Sequence, residues 1–157
     1  MSILRAGPAQ LAAAVDVWRA ANAARGLPPS AERTARIREK LAAPDAVVLL
    51  SPNPAGDVVG MALAEPGRAD DGAGGLVPGY GHVSMVFVHP DEWGRGHGRR
   101  LLTALALQET GWSRTTLWTR TSNDRAQRLY AAVGYRPTGR TSTLSDGDGI
   151  MQFERVG

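Results

Sequence analysis

Cysteine is absent from the 157 residues of this chain, which excludes a disulfide framework, a cysteine-based zinc site and a thiol nucleophile. Histidine is scarce. The three present, His82, His89 and His97, are too scattered to form a metal set, so no metal is expected. No run approaches the roughly 18 apolar residues of a membrane span, and Met1 to Gln10 lacks the apolar core of a secretory signal. These absences lead to the expectation of a soluble, cytoplasmic protein with no membrane partner. The length suits one domain over residues 1–157 with a core of useful size.

The net charge of +3 is unevenly spread. From Arg95 to Arg140 there are nine arginines against only Glu109 and Asp124. Such a surface attracts a polyanion, and composition alone leaves nucleic acid and a phosphorylated cofactor both open. No helix-turn-helix or aromatic RNA-binding signature accompanies it, so no nucleic-acid partner is expected.

Periodicity orders the chain. After a short strand at Ser2 to Arg5, Ala9 to Ala24 carries Leu11, Val15 and Trp18 on helical spacing, and Gly26-Leu27-Pro28-Pro29 breaks it. Ser30 with Arg33 to Leu41 predicts a second helix. Ala46 to Leu50 and Val58 to Ala64 are apolar runs around a turn-rich stretch, a hairpin signal. Pro66 to Gly79, with five glycines and two prolines, predicts a mobile surface loop. A strand from Gly81 to Val88, a helix from Gly98 to Glu109 and a strand from Thr115 to Thr119 follow. Asn123 then opens a helix with Ala126, Leu129, Tyr130 and Val133 on one stripe, ended by Gly134 and Pro137. Arg136 to Leu144 and Ile150 to Val156 form a last hairpin. The mixed order implies one central sheet with helices on its faces.

The segment from Val86 to Leu102 reads strand, turn, glycine-rich loop, helix. Alternating glycines let a ligand come close to the backbone amides. A helix starting beside them offers unpaired amide hydrogens and a positive dipole end, which together make an anion site. Arg95, Arg99 and Arg100 add charge there. The Rossmann fingerprint fails at Arg99, and the Gly-Lys-Ser/Thr ending of a P-loop is missing.

Val88 and Pro90, with Gly96 and Gly98 each eight residues farther on, fit a strand ending Val-x-Pro and an Arg/Gln-x-x-Gly-x-Gly/Ala loop. Asn123, Ala126, Tyr130, Gly134 and Tyr135 fit Asn-x-x-Ala-x-x-x-Tyr-x-x-x-Gly-Phe/Tyr. In both motifs the chain resembles the GNAT superfamily of N-acyltransferases. It departs at Trp93, where the family most often has arginine or glutamine. The resemblance implies an α/β (α+β) fold: a mixed, mostly antiparallel twisted sheet of about six or seven strands with about four helices. It also implies acetyl-CoA as cosubstrate and a small-molecule or peptide amine as acceptor, in a monomer or homodimer.

By the same resemblance, Val86, Phe87 and Val88 would hold the pantetheine arm. The run Trp93, Gly94, Arg95, Gly96, His97, Gly98 and Arg99 would surround the pyrophosphate. Asn123 and Arg125 would lie beside the cofactor, Tyr130 would face its sulfur, and the Val88 amide would stabilise the oxyanion. Each has a plainer reading as well: Asn123 as a helix N-cap, Tyr130 as a core tyrosine, Trp93 as packing at the turn. Chemically, a phenol of pKa about 10 can protonate a departing thiolate without prior ionisation. The acceptor amine must first lose a proton. His82 is the first candidate base, Glu65 the second, and a water or the substrate itself the third. A catalytically silent acyl-CoA-binding protein is the first competing class, and a basic nucleic-acid-binding domain using the arginine-rich face is the second.

Overall fold

The first two helices start on an apolar stripe in one case and a side-chain cap in the other. The computed structural model describes residues 2–27 and 29–157, with backbone alone at Asp71. Met1 and Pro28, which entered the leader and helix-break arguments, lie outside the described residues. A 3₁₀ turn at Pro8–Gln10 leads into α1, Leu11–Ala24, whose Ala14, Val15, Val17, Trp18 and Ala21 are buried. In α2, Ala31–Ala42, the Ser30 hydroxyl accepts from the Arg33 amide at 3.1 Å, satisfying one of the donors a helix start leaves open.

The strands are β1 (Leu4–Arg5), β2 (Val47–Pro52), β3 (Val58–Arg68), β4 (Leu76–Val88), β5 (Arg114–Arg120), β6 (Arg136–Thr143) and β7 (Gly149–Val156), with α3 at His97–Ala106 and α4 at Asp124–Ala132. Seven strands form one sheet in the order β1-β2-β3-β4-β5-β7-β6. Pairing is antiparallel for β1–β2, β2–β3, β5–β7 and β6–β7, and parallel for β4–β5. The fold class and element order are those expected from the sequence. Among the described residues, no helix is long and apolar enough to cross a membrane.

Two compact units divide the chain, Met1–Glu65 with Met85–Gln108 and Pro66–Ser84 with Glu109–Gly157. The first is built on an apolar cluster of Val15, Trp18, Leu41, Val48, Leu50, Met61, Leu63 and Met85. Truncating a fully buried leucine there, such as Leu50 or Leu63, costs about 2–5 kcal/mol. In the second, β5 and β7 pair along seven residues from Arg114↔Val156 to Arg120↔Ile150, and Phe153 and Leu117 are buried in register with each other.

The stretch from Pro66 to Gly79 is a loop only in its middle. β3 runs on through Pro66 to Arg68 and β4 begins at Leu76, leaving a seven-residue connection with a 3₁₀ turn at Asp70–Gly72. The Ala69 amide donates to the Gly75 carbonyl at 2.9 Å, and Gly74 donates to that of Ala69 at 2.9 Å. Glycine there serves packing. A Cβ on Gly67 would sit 2.0 Å from the Tyr80 ring, so the missing side chain makes room for an aromatic neighbour. The helix expected from Gly98 to Glu109 is shorter, ending at Ala106.

Candidate active site

In the first unit, β4 ends at Val88, and a 3₁₀ turn at Pro90–Glu92 carries the chain toward α3. Gly94 and Gly96 have φ of 80° and 84°, left-handed conformations that cost other residues about 1–2 kcal/mol. Gly96 is the N-cap of α3 and no side chain caps that helix. The amides at the helix start therefore point out of a glycine bend with no side-chain acceptor, the donor set a phosphate oxygen seeks. The geometry suits a diphosphate held by main chain.

Trp93 takes up the departure seen in the sequence. Its indole N–H donates to the Val88 carbonyl at 2.8 Å, and the residue is 47% exposed. The tryptophan thus ties the loop to the strand's last carbonyl. Val86, Phe87 and Val88 are half-buried, while Gly94, Arg95, Gly96 and Arg99 are exposed.

Of the arginines expected to add charge, two are engaged locally. Arg95 pairs with Glu92 at 3.2 Å. Arg100 donates to the Arg95 carbonyl at 3.2 Å and to His97 Nδ1 at 3.1 Å. Arg99 is exposed. His97 itself is buried, a position that its place among glycines did not signal; the pairing with Ser51 on β2, at 2.7 Å, is long-range and invisible to local pattern. Glu65, also in this unit, lies inside β3 rather than at its end and pairs with Lys40 at 3.5 Å.

The second unit holds His82, Asn123, Arg125 and Tyr130. His82 Nδ1 lies 3.0 Å from the Thr116 hydroxyl, its register partner across the β4–β5 pair, and Thr116 also meets the Tyr80 hydroxyl. That parallel register covers Tyr80, Gly81 and His82 only, although β4 continues to Val88. Asn123 accepts from the Ala126 amide at 3.1 Å as N-cap of α4, so its plainer reading holds. Arg125 is exposed.

Tyr130 is half-buried rather than sealed in a core, and α4 buries no residue fully. Its ring meets Tyr135 edge-on, centroids 6.2 Å apart, and Phe153 at 5.9 Å. Those contacts fix the ring in the manner of aromatic pairs. Gly134, with φ of 97°, ends the helix as expected. Burial holds the Tyr135 phenol above the ordinary tyrosine range, against the lowering pull of its Thr115 hydrogen bond and of Arg155.

The family model described as acetyltransferase (GNAT) family matches residues 14–135. The chain belongs to the GNAT family. Members of that family are acetyltransferases, and this chain is an enzyme of that class. No curated protein sequence matches the GNAT chain. Among solved structures, the ribosomal-protein-S18-alanine N-acetyltransferase of Escherichia coli is 20% identical with a TM-score of 0.74, covering 99% of this chain and 92% of its own. A GCN5-related N-acetyltransferase from Kribbella flavida is 19% identical with a TM-score of 0.75, covering 99% and 97%. AAC(6')-Ib, solved with paromomycin and acetyl-CoA, is 18% identical with a TM-score of 0.72, covering 99% and 92%. At these identities the likeness is one of fold.

Proposed function

We propose that residues 1–157 act as one acyltransferase domain that moves the acetyl group of acetyl-CoA to a primary amine of a small molecule or peptide. The observation that carries this reading is the uncapped start of α3 beside two left-handed glycines, in a chain of the GNAT family. Amides of the Gly94 to Arg99 run hold the pyrophosphate, and the backbone of Val86 and Val88 lines the pantetheine arm. Bound acetyl-CoA supplies the acyl thioester.

The chain's own groups do the rest. The Val88 N–H donates to the thioester carbonyl oxygen as charge grows there. Tyr130 gives its hydroxyl proton to the departing sulfur, which leaves as a thiol. His82 takes the proton that the attacking amine must lose, with Glu65 as the second candidate. Neither candidate is idle in the fold, since Thr116 holds one and Lys40 the other.

Calorimetry with acetyl-CoA and CoA, followed by free-thiol release over a panel of amino acids, polyamines, aminoglycosides and peptide N-termini, tests the proposal. Heat with both cofactors and thiol release with at least one amine is the expected result. Heat without release from any amine would favour the silent acyl-CoA-binding protein. His82→Gln and Glu65→Gln assign the base: the one whose removal abolishes the acid limb of the kcat/KM profile holds the role, and retention of the limb in both moves it to water.

A further inference from the structure

His97 sits on the first turn of α3 between two glycines, yet its side chain is only 3% exposed. A buried imidazole needs partners for both ring nitrogens, and it has them. Ser51 Oγ lies 2.7 Å from Nδ1 and Arg100 Nη2 lies 3.1 Å from the same atom. Nε2 faces the Glu92 carboxylate at 3.5 Å. A guanidinium can only donate, so Nδ1 carries the lone pair and the ring proton is on Nε2, directed at Glu92. The partners thereby assign the tautomer.

Each partner is tied to another part of the loop. Glu92 also holds Arg95, and Arg100 also holds the Arg95 carbonyl. Ser51 is fixed in β2 and only 1% exposed. Room for this approach comes from Gly60 on β3, where a Cβ would lie 3.1 Å from Ser51 Cβ and 3.6 Å from His97 Cβ. The bend of residues 92–100 is braced from beneath, so that Arg95 and Glu92 spend their charges on each other and the exposed side of the bend is left to backbone amides.

We propose that His97 is a positioning residue for the cofactor: with Ser51, Glu92 and Arg100 it holds the glycine bend in the shape that aims its amides at a diphosphate. The proposal rests on the reading that this bend binds acetyl-CoA. Pre-set donors cost less to order on binding, so loosening the brace weakens cofactor binding more than it slows turnover.

The test compares His97→Leu, Ser51→Ala and His97→Asn. Leucine removes both ring nitrogens, whereas the asparagine oxygen falls near the place of Nδ1 and can accept from Ser51 and Arg100. For His97→Leu, acetyl-CoA Kd by calorimetry and KM should rise about ten-fold with kcat changed much less, as follows from unpairing buried donors. Ser51→Ala, the milder change, should raise Kd a few-fold, and His97→Asn should restore most of the loss. Nitrogen-15 spectra of the wild-type ring should show Nδ1 unprotonated and Nε2 protonated. The opposite tautomer, an Asn variant no better than Leu, or a folded Ser51→Ala with Kd and KM both unchanged would overturn the proposal. Should His97→Leu fail to fold, the serine variant and the spectra decide. Absence of heat from the wild type overturns the cofactor reading and this inference with it, whereas wild-type heat with unaffected variants overturns the inference alone.

Discussion

The glycine bend before α3 and the helix α4 are both short motifs at a helix start, and they divide labour in opposite ways. In the bend, the donors on offer are main-chain amides that no side chain caps, while His97, Glu92 and Arg100 tie its side chains together. In α4, main-chain ends are closed by Asn123 and Gly134, and the group proposed to act in the chemistry is a side chain, Tyr130. A site made of backbone tolerates side-chain replacement so long as conformation survives, so on the proposed reading Trp93 can stand where the family most often has arginine or glutamine. A side-chain site does not.

The largest effect that would sharpen this contrast is at Tyr130. Tyr130→Phe keeps the ring contacts with Tyr135 and Phe153 and should lower kcat about 100-fold or more, with acetyl-CoA Kd unchanged in calorimetry. Unchanged turnover would remove the tyrosine from the mechanism and erase the distinction.

Next comes Gly96→Ala in the bend. The new Cβ would lie 3.2 Å from Arg100 Nη1 at a φ of 84°, and the strain should weaken acetyl-CoA binding about ten-fold while kcat at saturation falls little. A loss confined to kcat would contradict a cradle made of main chain.

Asn123→Ala should cost about 1 kcal/mol of stability in urea denaturation, as the loss of an N-cap does. A rise in acetyl-CoA KM beyond what partial unfolding explains would add a cofactor contact to the cap.

The smallest effect lies at the end of the second motif. Because burial raises the Tyr135 phenol above its ordinary pKa, the fold favours the protonated form. Its contribution is complete below the unfolded value of about 10 and is lost as pH climbs through the raised native value. Alkaline denaturation should therefore show a stability loss beginning near pH 10 that Tyr135→Phe lacks. At neutral pH the variant should lose no more than about 1 kcal/mol, the worth of the Thr115 hydrogen bond.

The order of strands and helices was legible because apolar period and turn residues are local signals. Both family motifs were legible for the same reason, since a glycine at positive φ or an asparagine cap is required by its own few neighbours. The segment from Pro66 to Gly79 misled at its two ends, where Gly67 and Gly79 look like loop glycines but lie in strands. Whether Gly67 frees the chain or admits the Tyr80 ring depends on a residue thirteen positions away, on another strand. Glu65 misled in a smaller way, since the strand it was expected to end runs on to Arg68.

Sequence by itself determined the family, the sheet with its flanking helices and the two motifs, all of which follow from spacing along the chain. Only the tertiary structure decided where His97 lies and what it touches. Its partner Ser51 is forty-six residues away on β2, and a hydrogen bond between buried side chains depends on how a helix packs on a strand, a distance that no local pattern encodes.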